Sequence, residues 1–543
     1  MENQINDHNF TEQAVDILRD RYLWKDSDGS VIETPVKMLD RVAKAIATVE
    51  TDVEKNEYWS DRYFDEMYTL RFLPNSPTLM NAGRPAPHGQ LAACFVIGVE
   101  DNMPSICEAL RKQMLIQKSG GGTGFNFSKL RSSGSKVNST NGKASGPISF
   151  MKLFDQASET VQQGGMRRGA NMGILNIDHS DIKEFVHCKD NDSGITNFNI
   201  SVGITDDWMY TATYHPDSYE REVLYEIAES AWKTGDPGVL FIDTIEAGNT
   251  TPALGRLDTT NPCGESPLYP DEACNLGSID VSKFWNDGID EDRLRETVET
   301  AVRFLDSVID VSSYPLPEVA ESVKRTRKIG LGIMGWADLL FIAGAAYGSS
   351  EAEDILDELM MIIEGQALTT SRALGEERGI PSACTHLKRR NATLTCIAPT
   401  GTIALLADCS SGIEPVFGLE HTRVRTQVDG TKVVMKYKNK HYQKAIDEGY
   451  DDEHLKRVFI TASEISPSKH IKTQSLFQKY THLAVSKTIN MDNSVTVDDI
   501  LNAYIEAWQS KCKGITIYRD GSKSEQVLYH NKPTKKQLKK IIK

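Results

Sequence analysis

Three consecutive segments carry the fold class: Lys328-Ile329-Gly330-Leu331-Gly332-Ile333-Met334-Gly335, the long stretch from Glu351 to Glu377, and Ala392-Thr393-Leu394-Thr395-Cys396-Ile397-Ala398-Pro399. The first and third are short apolar runs bounded by glycine or proline, as expected of strands buried on both faces. The middle stretch has the length and periodicity of a helix. Strand, helix and strand in that order predict parallel strands joined by a helical crossover. The same alternation holds from about residue 89 onward. Gln90 to Val99 and Gly238 to Asp243 read as strands, and Pro147 to Gln163 and Tyr219 to Lys233 as helices. The predicted class is therefore α/β. Upstream, Thr34-Pro35 supplies a cap followed by proline at the first helical position, and Val36, Leu39, Val42, Ala43 and Ile46 then recur at helical spacing. A helical N-terminal region is expected there. Phe72 to Leu79 reads as a loop with several polar side chains.

The 543 residues suit one very large α/β unit or two to three domains. With 39% hydrophobic and 25% charged residues the chain can bury a large core. A net charge of −15 argues against holding nucleic acid by bulk electrostatics, which needs clustered Lys and Arg. An anionic small substrate would need local N–H groups or helix N-termini instead. The N-terminus lacks a signal-peptide pattern and no apolar run reaches transmembrane length, so a cytoplasmic protein is expected. Nine cysteines are spread along the chain, so paired ones are expected to be catalytic or redox-active rather than a structural framework.

Asn261-Pro262-Cys263-Gly264-Glu265 alternates an amide, a thiol and a carboxylate over five residues, with Ala273-Cys274-Asn275-Leu276-Gly277 downstream. In an extended strand or loop, positions two apart point the same way, so Asn261, Cys263 and Glu265 would converge. A turn holding an inert cysteine is the plain alternative. Leu91-Ala92-Ala93-Cys94-Phe95-Val96 sets a thiol in an apolar strand, which alone would be a core cysteine. Pro399-Thr400-Gly401-Thr402-Ile403 turns from an apolar run toward a helix and could gather N–H groups and hydroxyls around an anion, or be a simple cap.

Together with Pro74-Asn75-Ser76-Pro77-Thr78-Leu79 and Met166 to Gly173, these motifs occur in an order that resembles ribonucleotide reductase large chains, from about Thr11 to about Val527. The resemblance implies a ten-stranded α/β barrel of two parallel five-stranded halves around a central finger loop. It implies a helical region over 1–88, a catalytic barrel over 89–527 with specificity loops near 131–145 and 190–196, and a basic tail over 528–543. It also implies roles. Cys263 would be the thiyl radical that removes the 3′ hydrogen of the ribose, Glu265 the base at the 3′-hydroxyl, and Asn261 the amide that fixes the sugar. Cys94 and Cys274 would deliver reducing equivalents and end as a disulfide. Ser76, Ala93, Gly122 and the turn Pro399, Thr400, Gly401, Thr402, Ile403 would hold substrate and phosphates. The product would be a 2′-deoxyribonucleotide made for DNA synthesis, with diphosphates the expected substrates because they are commoner among relatives.

Three classes of such enzymes differ in radical source. The diiron class uses paired tyrosines near the C-terminus, whereas Cys512 to Gly521 here holds Tyr518 alone. No glycyl-radical motif is found. Gly514-Ile515-Thr516-Ile517-Tyr518-Arg519-Asp520-Gly521-Ser522 and Ser410 to Pro415 look like the class that uses adenosylcobalamin, the vitamin B12 coenzyme. The resemblance also implies a homodimer using the helix Pro147 to Gln163, dNTP or ATP effectors, and a thioredoxin-like or small dithiol reductant. No ATP-cone-like module opens the chain, and Cys512 is the only cysteine after Cys409, so overall activity control and self-contained re-reduction are not expected. A diiron-type large chain and a catalytically inactive nucleotide-binding relative are the alternatives. A thiol–disulfide oxidoreductase lacks support, because no C-x-x-C is present.

Other motifs carry less. Gly120 to Gly124 lacks dinucleotide-fingerprint spacing, and Gly142-Lys143 is followed by Ala144, which does not complete a P-loop. His187-Cys188 has no partner at zinc spacing, so no metal site is expected. Six lysines lie between Lys532 and Lys543, as in a solvated tail.

Overall fold

The computed structural model describes residues 9–85, 89–137, 141–161, 169–190, 194–426 and 432–522. The predicted tail 528–543, Met166 to Arg168 of the Met166–Gly173 motif and parts of both predicted specificity loops lie outside them.

Ten strands join in one sheet: β1 (Phe72–Pro74), β2 (Cys94–Val96), β3 (Gly122–Asn126), β4 (Asn171–Asn176), β5 (Phe198–Ile204), β6 (Gly238–Phe241), β7 (Glu272–Asp280), β8 (Ile329–Met334), β9 (Thr488–Met491) and β10 (Gly514–Arg519). Strands β2 to β6 are parallel neighbours in chain order. A second parallel group starts with β7 and β8, passes through the bridges Leu331↔Thr395 and Ile397↔Val485, and ends in β9 and β10. The two groups meet antiparallel, β2 on β7 and β6 on β10, which closes the ring. The barrel is thus two parallel halves of five, with Thr395–Ile397 completing the second and β1 lying antiparallel on the outer part of β7. Strand β7 is buried along its whole length, as expected of a strand covered on both faces.

The predicted strand Ala392–Pro399 forms only these isolated bridges rather than a regular ladder. Its backbone crowds β8, where a Cβ on Gly332 would stand 2.4 Å from Cys396 O, and Thr400 then turns into the left-handed region at φ 52°. Phe72 to Leu79 is a correction to the loop reading. It forms β1 and then the helix Ser76–Asn81, whose N-cap Asn75 accepts from Thr78 N through Oδ1 at 3.0 Å. Asn-Ser-Pro is a cap-and-proline signal read too lightly. The predicted strand Gly238–Asp243 stops at Phe241, where the helix Ile242–Ala247 begins.

The N-terminal helices Glu12–Arg21, Pro35–Ala47 and Val53–Tyr68 form as the caps dictate, with Thr34 Oγ1 accepting from Lys37 N at 3.2 Å. They are tied to the barrel's helices at Glu50, which pairs with Arg303 at 2.6 Å and with Arg378. Within the barrel, Arg303 also meets Glu377 at 2.7 Å, and Asp306 meets Arg327 and Arg390 at 2.8 Å each. Among the described residues no helix is long and apolar enough to cross a membrane.

Candidate active site

The antiparallel seam between the two halves decides the chemistry. In the register of β2 on β7, Cys94 and Cys274 are direct Cα partners. Directly opposed antiparallel residues stand about 4.5–5.5 Å apart, inside the window a disulfide needs. Both are thiols here, as none of the nine cysteines forms a disulfide. They sit in an apolar cluster with Val96, Leu268, Leu276, Cys396, Ala398 and Leu483. Burial, with the Glu265 charge next, pushes the Cys94 thiol well up. Burial raises Cys274 too, Glu272 adding to it and Lys328 opposing. At neutral pH both therefore keep their protons.

A loop rises inside the barrel between the helix Ile242–Ala247 and β7. Its stem is pinned by the bridge Thr260↔Pro267 and by Leu268 N donating to Thr259 O at 3.1 Å. Its tip is a turn in which Gly264 N donates to Asn261 O at 3.1 Å, and Gly264 takes φ +83°, a conformation that favours glycine. The segment is a loop rather than an extended strand, and Cys263 does not share the buried side of Asn261 and Glu265. The turn buries Asn261 and Glu265 at 2% exposure each and leaves Cys263 exposed at the tip.

Asn261 Nδ2 donates to Cys94 Sγ at 3.1 Å, and Asn261 Oδ1 accepts from Ser266 N at 2.9 Å. The Cys94 thiol in turn faces Glu265 Oε1 at 3.8 Å. Cys263 lies near enough to act electrostatically on Cys94. Burial raises the Glu265 carboxyl to about 6, against hydrogen bonds from Asn261, the loop backbone and Cys94 that lower it. Glu265 Oε2 is buried without a hydrogen-bond partner within the structure. An orphaned carboxylate oxygen costs free energy, and a substrate hydroxyl would satisfy it.

The barrel wall accommodates the loop. A Cβ on Gly124 would fall 1.8 Å from Thr260 O, so only glycine lets the stem lie against β3. Asn199 Nδ2 holds Pro262 O at 2.8 Å and Asn126 Nδ2 holds Asp258 O at 3.1 Å. These three supports were missed in the sequence. The signal was available in Gly122 and Gly124, whose spacing of two puts both on the inner face of one strand.

Among the expected substrate residues, Ala93 packs on the thiol cluster and its carbonyl accepts from Gly122 N at 2.9 Å, beside Pro262 of the loop. Ser76 Oγ pairs with Tyr22 OH at 2.7 Å, and the neighbouring Asn75 N donates to Leu276 O of β7 at 2.8 Å. In the turn, Thr400 Oγ1 accepts from Gly412 N at 2.7 Å, Pro399 and Thr402 are half-buried, and Gly401 is exposed. The Ile403 side chain belongs to the core. The helix Gly401–Ala407 packs against β1 and against Glu12–Arg21, which bring it to the side of the barrel that carries Ser76. Away from this site, His187 bonds Asp190 and Glu226 at 3.0 Å each. Cys512 is buried in the main core, and burial pushes its thiol up to about 12, as befits an inert cysteine.

A dithiol and a carboxylate gathered around a thiol-tipped loop in a two-halved barrel define a ribonucleotide reductase large chain. The family model "Ribonucleotide reductase, barrel domain" matches residues 92–219, 216–388 and 385–518, and "Ribonucleotide reductase, all-alpha domain" matches 8–87. The chain belongs to the ribonucleotide reductase family. It is 41% identical to a vitamin B12-dependent ribonucleoside-diphosphate reductase of Thermoplasma acidophilum, over 96% of this chain and 80% of that protein. A protein of the same name from Mycobacterium tuberculosis is 42% identical over 96% of this chain and 79% of its own length. The fold matches the Actinobacillus ureae class Id ribonucleotide reductase alpha subunit with a TM-score of 0.81 at 22% identity, covering 96% of this chain and 99% of that one.

Proposed function

We propose that this chain is an adenosylcobalamin-dependent reductase of ribonucleoside diphosphates, with Cys263 as radical carrier, Glu265 as base, Asn261 as sugar-binding amide and Cys94 with Cys274 as the reducing pair. The observation that carries the reading is the cross-strand thiol pair lying against Asn261 and Glu265 at the foot of the loop. The names of the relatives support the cofactor and the diphosphate. So does the tip itself: Cys263 is exposed, and a Cβ on Gly264 would meet nothing within 4 Å. The tip is thus open to an external radical source at these two residues. When bound, adenosylcobalamin supplies the radical by homolysis of its cobalt–carbon bond.

The remaining chemistry belongs to the chain. A ribose C–H is not acidic, so polar chemistry cannot open the 3′ carbon. A sulfur radical at Cys263 takes that hydrogen atom because S–H and C–H bonds are close in strength. Glu265 Oε2 accepts the 3′-hydroxyl proton. The 2′-hydroxyl leaves as water, and the protonated thiols of Cys94 and Cys274 supply two protons and two electrons and become a disulfide. Glu265 gives its proton back to the 3′ oxygen, and Cys263 finally returns its hydrogen to the 3′ carbon. Burial of the pair excludes water from these steps.

In the same reading, Ser76, Ala93, Gly122 and Pro399 to Ile403 receive the substrate. Residues 1–88 form the helical region, 89–527 the catalytic domain and 528–543 a tail. The loop near 131–145 belongs to the site for a dNTP or ATP effector, and the loop near 190–196 relays the effector's identity to the substrate base. The chain works as a cytoplasmic homodimer reduced by a small dithiol or a thioredoxin-like protein. Leu153, 48% exposed on Pro147–Thr160, and Met114, 39% exposed on the adjoining helix Met103–Lys118, support the dimer face. The test is an anaerobic assay with adenosylcobalamin as sole added radical source. Deoxynucleotide formation is expected, and its absence with every ribonucleotide would overturn the proposal.

A further inference from the structure

Lys513 enters the core at the start of β10 with no carboxylate at its ammonium. Its Nζ donates instead to two backbone carbonyls, His482 O at 2.8 Å and Leu483 O. Leu483 O also accepts from Gln478 Nε2 at 3.2 Å. Burial lowers the Lys513 amine to about 8. A buried cation that gains only backbone partners is costly, so its retention points to work done by those partners.

The carbonyl of Leu483 and the N–H of Ala484 belong to one peptide group. That N–H donates to Glu265 O at 2.9 Å. The same segment is held flat by Leu483 N donating to Thr395 O at 3.0 Å and Ile397 N to Ala484 O at 3.1 Å. A cation at one end of a peptide polarises it and strengthens the bond at the other. Asn199 and Asn126 hold the loop from the β3–β5 side, and this peptide holds it from the opposite half of the barrel. Lys513 and Pro267 of the loop stem line one small cavity with Lys328, His482, Leu483 and Thr250. The titratable groups around Lys513 are Lys328, already paired with Glu272 at 2.7 Å, and His482, which burial keeps neutral and whose ring Nδ1 meets Thr395 Oγ1 at 3.0 Å.

We propose that Lys513 is a positioning residue for Glu265, clamping the Leu483–Ala484 peptide so that its N–H holds the Glu265 backbone carbonyl and, through that backbone, sets the carboxylate beside Cys94 and Asn261. The inference rests on Glu265 being the base. Lys513 touches neither substrate nor reacting atoms. Its removal leaves the loop's other anchors in place and loosens the Glu265 backbone that carries the carboxylate. The hydrogen bonds that hold the Glu265 carboxyl down then weaken, and its proton is lost at higher pH.

The test compares the wild type with Lys513→Met, which keeps the bulk and removes the donor, and Lys513→Gln, which keeps a neutral donor. Rates of deoxynucleotide formation are measured from pH 5 to 8 under anaerobic conditions with adenosylcobalamin. In Lys513→Met, kcat is expected to fall about tenfold with KM changed by less than about twofold, and the acid limb of the normalised profile to move up by about half a pH unit or more. Lys513→Gln should fall between the two. A merely structural role would lower the active fraction without moving the limb. An unmoved limb in both variants overturns the proposal, as does full kcat in Lys513→Met. If Lys513→Met does not fold, the limb of Lys513→Gln decides. A wild type without an acid limb, or an active Glu265→Gln, overturns the assignment of Glu265 instead, so the two failures are distinct.

Discussion

Replacing Glu265 by glutamine tests the centre of the site, because the structure makes its carboxylate do two things at once. Burial raises it to about 6 from the ordinary 4.5. If the ionised form is the base, its fraction is about 0.9 at pH 7 and about 0.1 at pH 5, a fall of about tenfold in kcat; an unshifted carboxyl would give a fall of only about 1.3-fold. The same shift costs stability. Between pH 4.5 and 6 the folded chain binds more protons here than the unfolded one, so stability falls as pH rises through that window, and above it the penalty is about 2 kcal/mol. Glu265→Gln should therefore abolish product formation while raising the midpoint of thermal unfolding at pH 7, an advantage that disappears by about pH 4.5. Anaerobic product assays and scanning calorimetry at both pH values read the two effects. A wild-type rate that is flat from pH 5 to 7, or a Glu265→Gln variant that still turns over, would refute the reasoning.

Cys263→Ser should form no deoxynucleotide yet bind substrate as the wild type does, since a hydroxyl holds its hydrogen too strongly to carry the radical; equilibrium binding and product assays check both halves. One turnover without added reductant should leave Cys94 and Cys274 as a disulfide, seen by differential alkylation and peptide mass spectrometry; both remaining as thiols after product has formed would count against the pairing. Gly124→Ala should displace the loop stem, because the new methyl would lie 1.8 Å from Thr260 O, and cut kcat by about a hundredfold or more; near-normal turnover would show that the loop does not need that approach. Leu153→Asp should weaken self-association by about tenfold or more in sedimentation with effector present, and unchanged association would move the interface elsewhere.

Local order in the chain was enough to define the α/β class and the helical start, because burial on both faces and helical spacing are written into consecutive residues such as Ile329 to Met334 and Val36 to Ile46. The individual motifs were also visible, but each had a bland reading of its own. Cys94 alone is a core cysteine, and Asn261 to Glu265 alone is a turn. What joined them was long-range pairing. Cys94 and Cys274 are 180 residues apart, and only the antiparallel seam between two parallel half-barrels makes them Cα partners. The conformation of the loop was equally hidden, since a period of two describes an extended strand and Gly264 at positive φ instead turns the chain, burying Asn261 and Glu265 and exposing Cys263. The carboxyl at about 6 and the clamp at Lys513 follow from desolvation and from a peptide shared between distant segments. Residue identity supplies the reactive groups, whereas their separation, burial and partners arise only when the barrel closes.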